Sequence, residues 1–96
     1  MPGYTILITS NAVRDLEAAV DYYNEKAENL GYRFADLIDD YFERIALVPT
    51  ASSVRYKDIR CKPMTTFPYM IMYTIEEAAK TINVLRIFNT WQESLW

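Results

Sequence analysis

Two consecutive stretches of this chain repeat their apolar residues in steps of three and four, with a short break between them. In the first, Val13, Leu16, Ala19, Val20, Tyr23 and Ala27 form a single stripe, the spacing of side chains that share one face of an α-helix. Asp21, Glu25 and Glu28 fall off that stripe and are expected to face water. Ser10 or Asn11 is expected to supply the N-cap oxygen, and Asp15 and Glu17 put negative charge in the early turns, where the helix dipole favours it. Asn29-Leu30-Gly31 interrupts the pattern, with Gly31 expected to take the left-handed conformation of a C-cap. A second helix is expected over residues 32–48. It carries Phe34, Leu37, Ile38, Tyr41, Ile45 and Val48, and Pro49 ends it. So short a break makes an antiparallel helical hairpin. Each helix is apolar on one stripe only, so the pair needs a broad apolar surface to cover.

The rest of the chain can provide that surface. Residues 4–9 read as a short strand, and residues 54–61 as another. Residues 66–75 make a stronger strand, with Phe67, Tyr69, Ile71, Tyr73 and Ile75 on one face and Met70 and Met72 on the other. Apolar residues on both faces mark a central strand. Pro68 cannot donate to a ladder and fits best near that strand's start. Glu76-Glu77-Ala78-Ala79-Lys80 forms a polar turn, and residues 81–88 are the last strand. The expected order is β-α-α-β-β-β: an α+β fold with a helical hairpin packed on a small, mainly antiparallel sheet. At 96 residues the chain makes one domain, 1–96, with no room for a second.

Histidine is absent from the sequence. This excludes Ser-His-Asp and Cys-His nucleophilic sites, histidine-ligated metals and imidazole acid–base chemistry. The single Cys61 cannot form an internal disulfide, which suits a reducing compartment. Asp36, Asp39, Asp40 and Glu43 lie within two helical turns, but as i, i+4 neighbours they fit a solvated helix face. Without a glycine-bearing calcium loop no metal is expected, and no cofactor. No secretory signal and no membrane-spanning run are visible, so a soluble cytoplasmic protein without membrane contact is expected.

The net charge of −3 is unevenly divided. Residues 1–48 hold four basic groups against nine carboxylates, whereas residues 49–96 hold six against four. Most of the positive charge lies in Val54-Arg55-Tyr56-Lys57-Asp58-Ile59-Arg60-Cys61-Lys62. On one continuous strand, Arg55 and Lys57 would share a face and Arg60 would point the other way. Such a segment is either a charge-protected edge strand or a small site for an anionic partner. Trp91 and Trp96, beside Leu95, either fold back on the sheet or present an aromatic anchor to a partner. Arg55, Lys57, Trp91 and Trp96 are therefore the candidate partner-binding residues.

Several of these segments together carry a family likeness. They are Tyr4-Thr5-Ile6-Leu7-Ile8, Ala12-Val13-Arg14-Asp15-Leu16-Glu17, Ala19-Val20-Asp21-Tyr22-Tyr23, Gly31-Tyr32-Arg33-Phe34 and Arg55-Tyr56-Lys57-Asp58-Ile59-Arg60. Phe67-Pro68-Tyr69-Met70-Ile71-Met72-Tyr73 and Val84-Leu85-Arg86-Ile87-Phe88-Asn89-Thr90 complete them. In this order and spacing the chain resembles the RelE/ParE-type toxins of bacterial toxin–antitoxin pairs, over nearly its whole length. The resemblance implies a β-α-α-β-β-β fold, growth inhibition, a part in plasmid stabilisation, and a cognate antitoxin that wraps the toxin; a homodimer or a toxin–antitoxin hetero-oligomer is the expected assembly. RelE-like members cut messenger RNA on the ribosome, and ParE-like members inhibit DNA gyrase.

RNA cleavage by this fold calls for cations on the phosphate and a group that moves a proton. RelE-like toxins place basic residues on the central strand and after the closing strand, and a tyrosine near the C-terminus. Here the central-strand position falls on Met70, and Asn89-Thr90-Trp91-Gln92 follows the closing strand. Arg60, Lys62 and Arg86 remain as candidate phosphate-binding groups, and Tyr69 or Tyr56 as a candidate proton-transfer group. A strand tyrosine at such spacing also reads as packing with its hydroxyl at the rim. The expectation is ParE-like inhibition of a protein target. RelE-like ribosome-dependent cleavage and an inactive homologue acting only as a binding partner are the alternatives.

Overall fold

The first strand, β1 (Thr5–Ile8), passes into helix α1 (Ser10–Lys26) through a single residue. That residue, Thr9, is the N-cap: its hydroxyl accepts from the Ala12 N–H at 3.2 Å and donates to the Leu85 carbonyl at 3.1 Å. The cap therefore falls one position before the expected Ser10 or Asn11, because only Thr9 also reaches the neighbouring strand. The computed structural model describes residues 3–91.

Helix α1 gives way to α2 (Leu30–Leu47) through Ala27–Asn29. The left-handed residue of this break is Asn29, with φ 64°, and not Gly31. Gly31 lies inside α2 and is needed for a different reason. A Cβ there would collide with the Val20 carbonyl oxygen and lie 2.8 Å from the Asn24 carboxamide. The Gly31 N–H also donates to Asn24 Oδ1 at 2.7 Å, so this glycine lets the two helices touch. α2 ends ahead of a 3-10 turn, Pro49–Ala51.

The expected strand over 54–61 is in fact a hairpin. β2 (Val54–Tyr56) turns through Lys57 and Asp58 into β3 (Ile59–Pro63). Lys57 has φ 51°, so it occupies the turn and does not share a strand face with Arg55. β4 (Tyr69–Glu76) starts right after Pro68, where the missing donor matters least. Phe67, expected within the strand, precedes it yet is still buried in the core. β5 is Thr81–Asn89.

Among the described residues the strands form one sheet in the order β1-β5-β4-β3-β2. β1 runs parallel to β5, and every other pairing is antiparallel. β4 is the central strand, as its two apolar faces require. On the helix side Tyr69, Ile71 and Tyr73 join Phe34, Ile38, Ile45, Ile82 and Val84 in the main core. On the opposite side Cys61, Met72 and Phe88 form a smaller cluster, with Met70 and Ile59 against it. Phe34, Phe67, Tyr69 and Tyr23 stack in an aromatic knot with ring centroids 4.8–6.1 Å apart, which locks the hairpin onto the sheet. The α1 stripe is narrower than expected, since Val13 and Ala27 are exposed.

Candidate functional site

β5 carries Arg86 opposite the inner end of α1, and Asp15 is its partner. Arg86 Nε donates to Asp15 Oδ2 at 2.6 Å and Nη2 to Oδ1 at 2.9 Å, a planar two-point match. The Ile87 N–H adds a third bond to Oδ2, at 3.0 Å. Asp15, expected to answer the helix dipole, lies beyond the first turn and serves as the tie between α1 and β5. Arg86 is held further above its already high pKa, chiefly by this hydrogen bond. The pair forms one wall of a groove of about 260 Å³ between α1 and the ends of β4 and β5, which Tyr22, Tyr69 and Asn89 also line.

Tyr69 packs in the core and is 9% exposed. Burial pushes its phenol above the ordinary tyrosine value, with the hydrogen bond to the Asn89 side chain opposing. At neutral pH it remains a protonated phenol and a poor base. Met70, on the other face of β4, offers no charge.

Arg60 and Lys62 leave β3 on the helix side, two residues apart. Arg60 Nη1 donates to the Ser52 carbonyl at 2.7 Å, with the Thr50 carbonyl at 3.5 Å. It thereby pins the loop after α2. Lys62 Nζ stands 5.7 Å from the centre of the Tyr41 ring, and Arg44 of α2 lies 5.1 Å from the same ring. Tyr41 receives the Thr65 N–H at 3.2 Å. The hydrogen bond to the Thr65 hydroxyl, helped by Arg44 and Lys62, draws its phenol below the ordinary value against burial. This Arg44–Tyr41–Lys62 group was not visible in the sequence. Arg44 and Tyr41 stand three apart on α2, but only the sheet register brings Lys62 to them.

The remaining candidates do not converge. Arg55 is exposed on β2, Lys57 sits in the hairpin turn 5.4 Å from the Tyr56 ring centre, and Tyr56 is 43% exposed. Trp91 is 83% exposed and has not folded back on the sheet; its backbone N–H donates to Asn89 Oδ1 at 2.8 Å. Trp96 lies outside the described residues. Among the described residues no three His, Cys, Asp or Glu side chains are grouped to hold a metal ion, and no helix is long and apolar enough to cross a membrane.

Solved structures share this arrangement. The ParE toxin–antitoxin system described as the chromosomal ParDE TA system from P. aeruginosa matches with a TM-score of 0.76 at 19% identity, covering 90% of this chain and 95% of that one. The RelBE2 toxin–antitoxin complex from Mycobacterium tuberculosis matches at 0.64 and 20% identity, covering 91% and 98%. The isolated E. coli RelE toxin matches at 0.61 and 11% identity, covering 96% and 88%. At such identities the likeness establishes the fold alone. No curated protein matches the chain by sequence. The family model described as the ParE toxin of the type II toxin–antitoxin system parDE, however, matches residues 6–93. Sequence and fold thus agree over nearly the whole chain, which belongs to the ParE toxin family of type II toxin–antitoxin systems.

Proposed function

We propose that this toxin acts by binding a protein, with DNA gyrase the first candidate target, and that a cognate antitoxin holds it silent. The observation that carries the reading is the engagement of two of its three candidate phosphate-binding cations, Arg60 and Arg86. Cleaving RNA requires a base to take the 2′-hydroxyl proton and free cations to hold the charge building on the phosphate. Arg86 is committed to Asp15 and Arg60 to main-chain carbonyls. Tyr69 is buried with a raised pKa, and the sequence contains no histidine. A surface that meets a protein needs none of these groups. What it needs is an exposed aromatic anchor, and Trp91, 83% exposed, fits that role; Arg55, Lys57 and Trp96 are proposed as separate partner contacts.

The antitoxin reading draws support from two of the structural neighbours, which are described as toxin–antitoxin assemblies. The test is to add the purified protein to gyrase and follow supercoiling of relaxed plasmid. Inhibition that Trp91→Ala weakens, with the fold intact, supports the reading. Undisturbed supercoiling at saturating protein refutes gyrase as the target. Growth arrest on expression, relieved by the product of a neighbouring short gene, separates an active toxin from an inert homologue.

A further inference from the structure

Beside Tyr41 the chain has a shallow groove of about 260 Å³, lined by Arg44, Ile45, Val48, Ala51, Ser52 and Lys62. Its walls are of two kinds. Ile45 is buried at the floor, while Val48 is 56% exposed, a large apolar side chain left open at the end of α2. Arg44 and Lys62 form the other wall, both standing over the Tyr41 ring. A cation over an aromatic face keeps its charge and is oriented by the ring quadrupole. Neither cation has a carboxylate partner: among the described residues the ion pairs are Lys80–Glu77 and Arg86–Asp15. Asp40 and Glu43 share α2 with Arg44, but neither closes onto it.

We propose that this groove is a docking site for an acidic peptide segment of a partner protein, seating one apolar side chain on Ile45 and Val48 while its carboxylates meet Arg44 and Lys62. It deepens the protein-binding reading and rests on it only for the kind of molecule that supplies the segment. Charge and shape choose this occupant. The volume is below the roughly 300–1,000 Å³ of small-molecule pockets and suits a single side chain. Paired cations beside an apolar floor complement alternating acidic and apolar residues. Nucleic acid is the poorer match. Tyr41 is 6% exposed, so it offers no face on which a base could stack.

The experiment is fluorescence anisotropy of a labelled short peptide of alternating glutamate and leucine, titrated with the whole protein at low ionic strength. Binding is expected, and it should weaken as salt rises. Arg44→Glu combined with Lys62→Glu should lower affinity roughly tenfold or more, from two exposed pairs lost and reversed. Val48→Asp should also weaken binding, whereas Arg14→Glu, on the exposed side of α1, should not. Arg44→Gln with Lys62→Gln is the gentler pair should charge reversal disturb the fold, with near-UV circular dichroism as the check. Equal binding by the neutralised variant, or no binding by the native protein, overturns the proposal. Tighter binding of a single-stranded oligoribonucleotide, abolished by the same substitutions, would give the groove to nucleic acid and overturn it as well. The gyrase assay does not enter this result, so either reading can fail alone.

Discussion

Replacing Asp15 by alanine removes the acceptor of three hydrogen bonds at once: two from Arg86 and one from the Ile87 N–H. The Asp15 side chain is 17% exposed and that of Arg86 35%, so the pair lies between a surface ion pair and a buried one. Exposed pairs contribute about 0.2–1 kcal/mol, and breaking a buried pair costs about 3–5 kcal/mol. Arg86 can regain part of its hydration from its exposed third. The Ile87 N–H belongs to a buried residue and loses its partner, at a cost of about 1–3 kcal/mol. Together these place Asp15→Ala at about 2–3 kcal/mol, which for a domain of this size is a fall in Tm of about 10 °C or more. Asp15→Asn keeps an acceptor for the Ile87 N–H and should cost about half as much. Urea unfolding of Asp15→Ala, Arg86→Met and the double variant isolates the pair, with an expected coupling of about 1–2 kcal/mol. A loss under about 0.5 kcal/mol for Asp15→Ala, or no coupling, would mean that Asp15 does not hold Arg86. The cation would then be free, and the argument against RNA chemistry would lose its main support.

Three further outcomes follow from the packing. Gly31→Ala should destabilise by about 1–3 kcal/mol, since α2 must move off the Val20 carbonyl; an unchanged denaturation midpoint would contradict the close approach of the helices. Tyr73, fully buried, donates its hydroxyl to the Pro49 carbonyl at 2.6 Å, so Tyr73→Phe should cost about 1–2 kcal/mol by the same measurement. Burial raises the Cys61 thiol and the Tyr69 phenol. The unfolded chain therefore loses these protons first, and stability should hold up to about pH 8.5 and fall above it, the thiol acting first and the phenol from about pH 10. Tyr41, held low, works in the opposite direction near its own titration, so Cys61→Ala should remove the early part of the fall.

Much of the fold was legible because periodicity reports burial directly. The stripe Phe34, Leu37, Ile38, Tyr41 and Ile45 lies against the sheet as its spacing demands, although Val48, expected to extend it, caps α2 and is exposed; β4 is central as its two apolar faces demand. Errors arose where a local choice depended on a distant neighbour. Gly31 looked like a C-cap because glycine tolerates positive φ, yet its role is to make room for α1. Asn29 supplies the left-handed turn instead. The basic segment around Lys57 lacks the glycine that announces a tight hairpin, so a continuous strand was expected in its place. Of the site residues, Arg86 could be nominated from the sequence, but its capture by Asp15 spans 71 positions and depends on how α1 lies across β5. Lys62 and Arg44 meet over Tyr41 for the same kind of reason. Residue type identifies a charge; only the folded arrangement shows whether that charge is already engaged.

The most direct measurement is to add the purified, antitoxin-free protein to a reconstituted translation reaction and map the ends of the message. Intact transcripts at every concentration are predicted, because Arg86 and Arg60 are engaged within the fold and Tyr69 is a buried, protonated phenol. Discrete ribosome-dependent cuts within codons, lost in Arg86→Ala, would contradict the account.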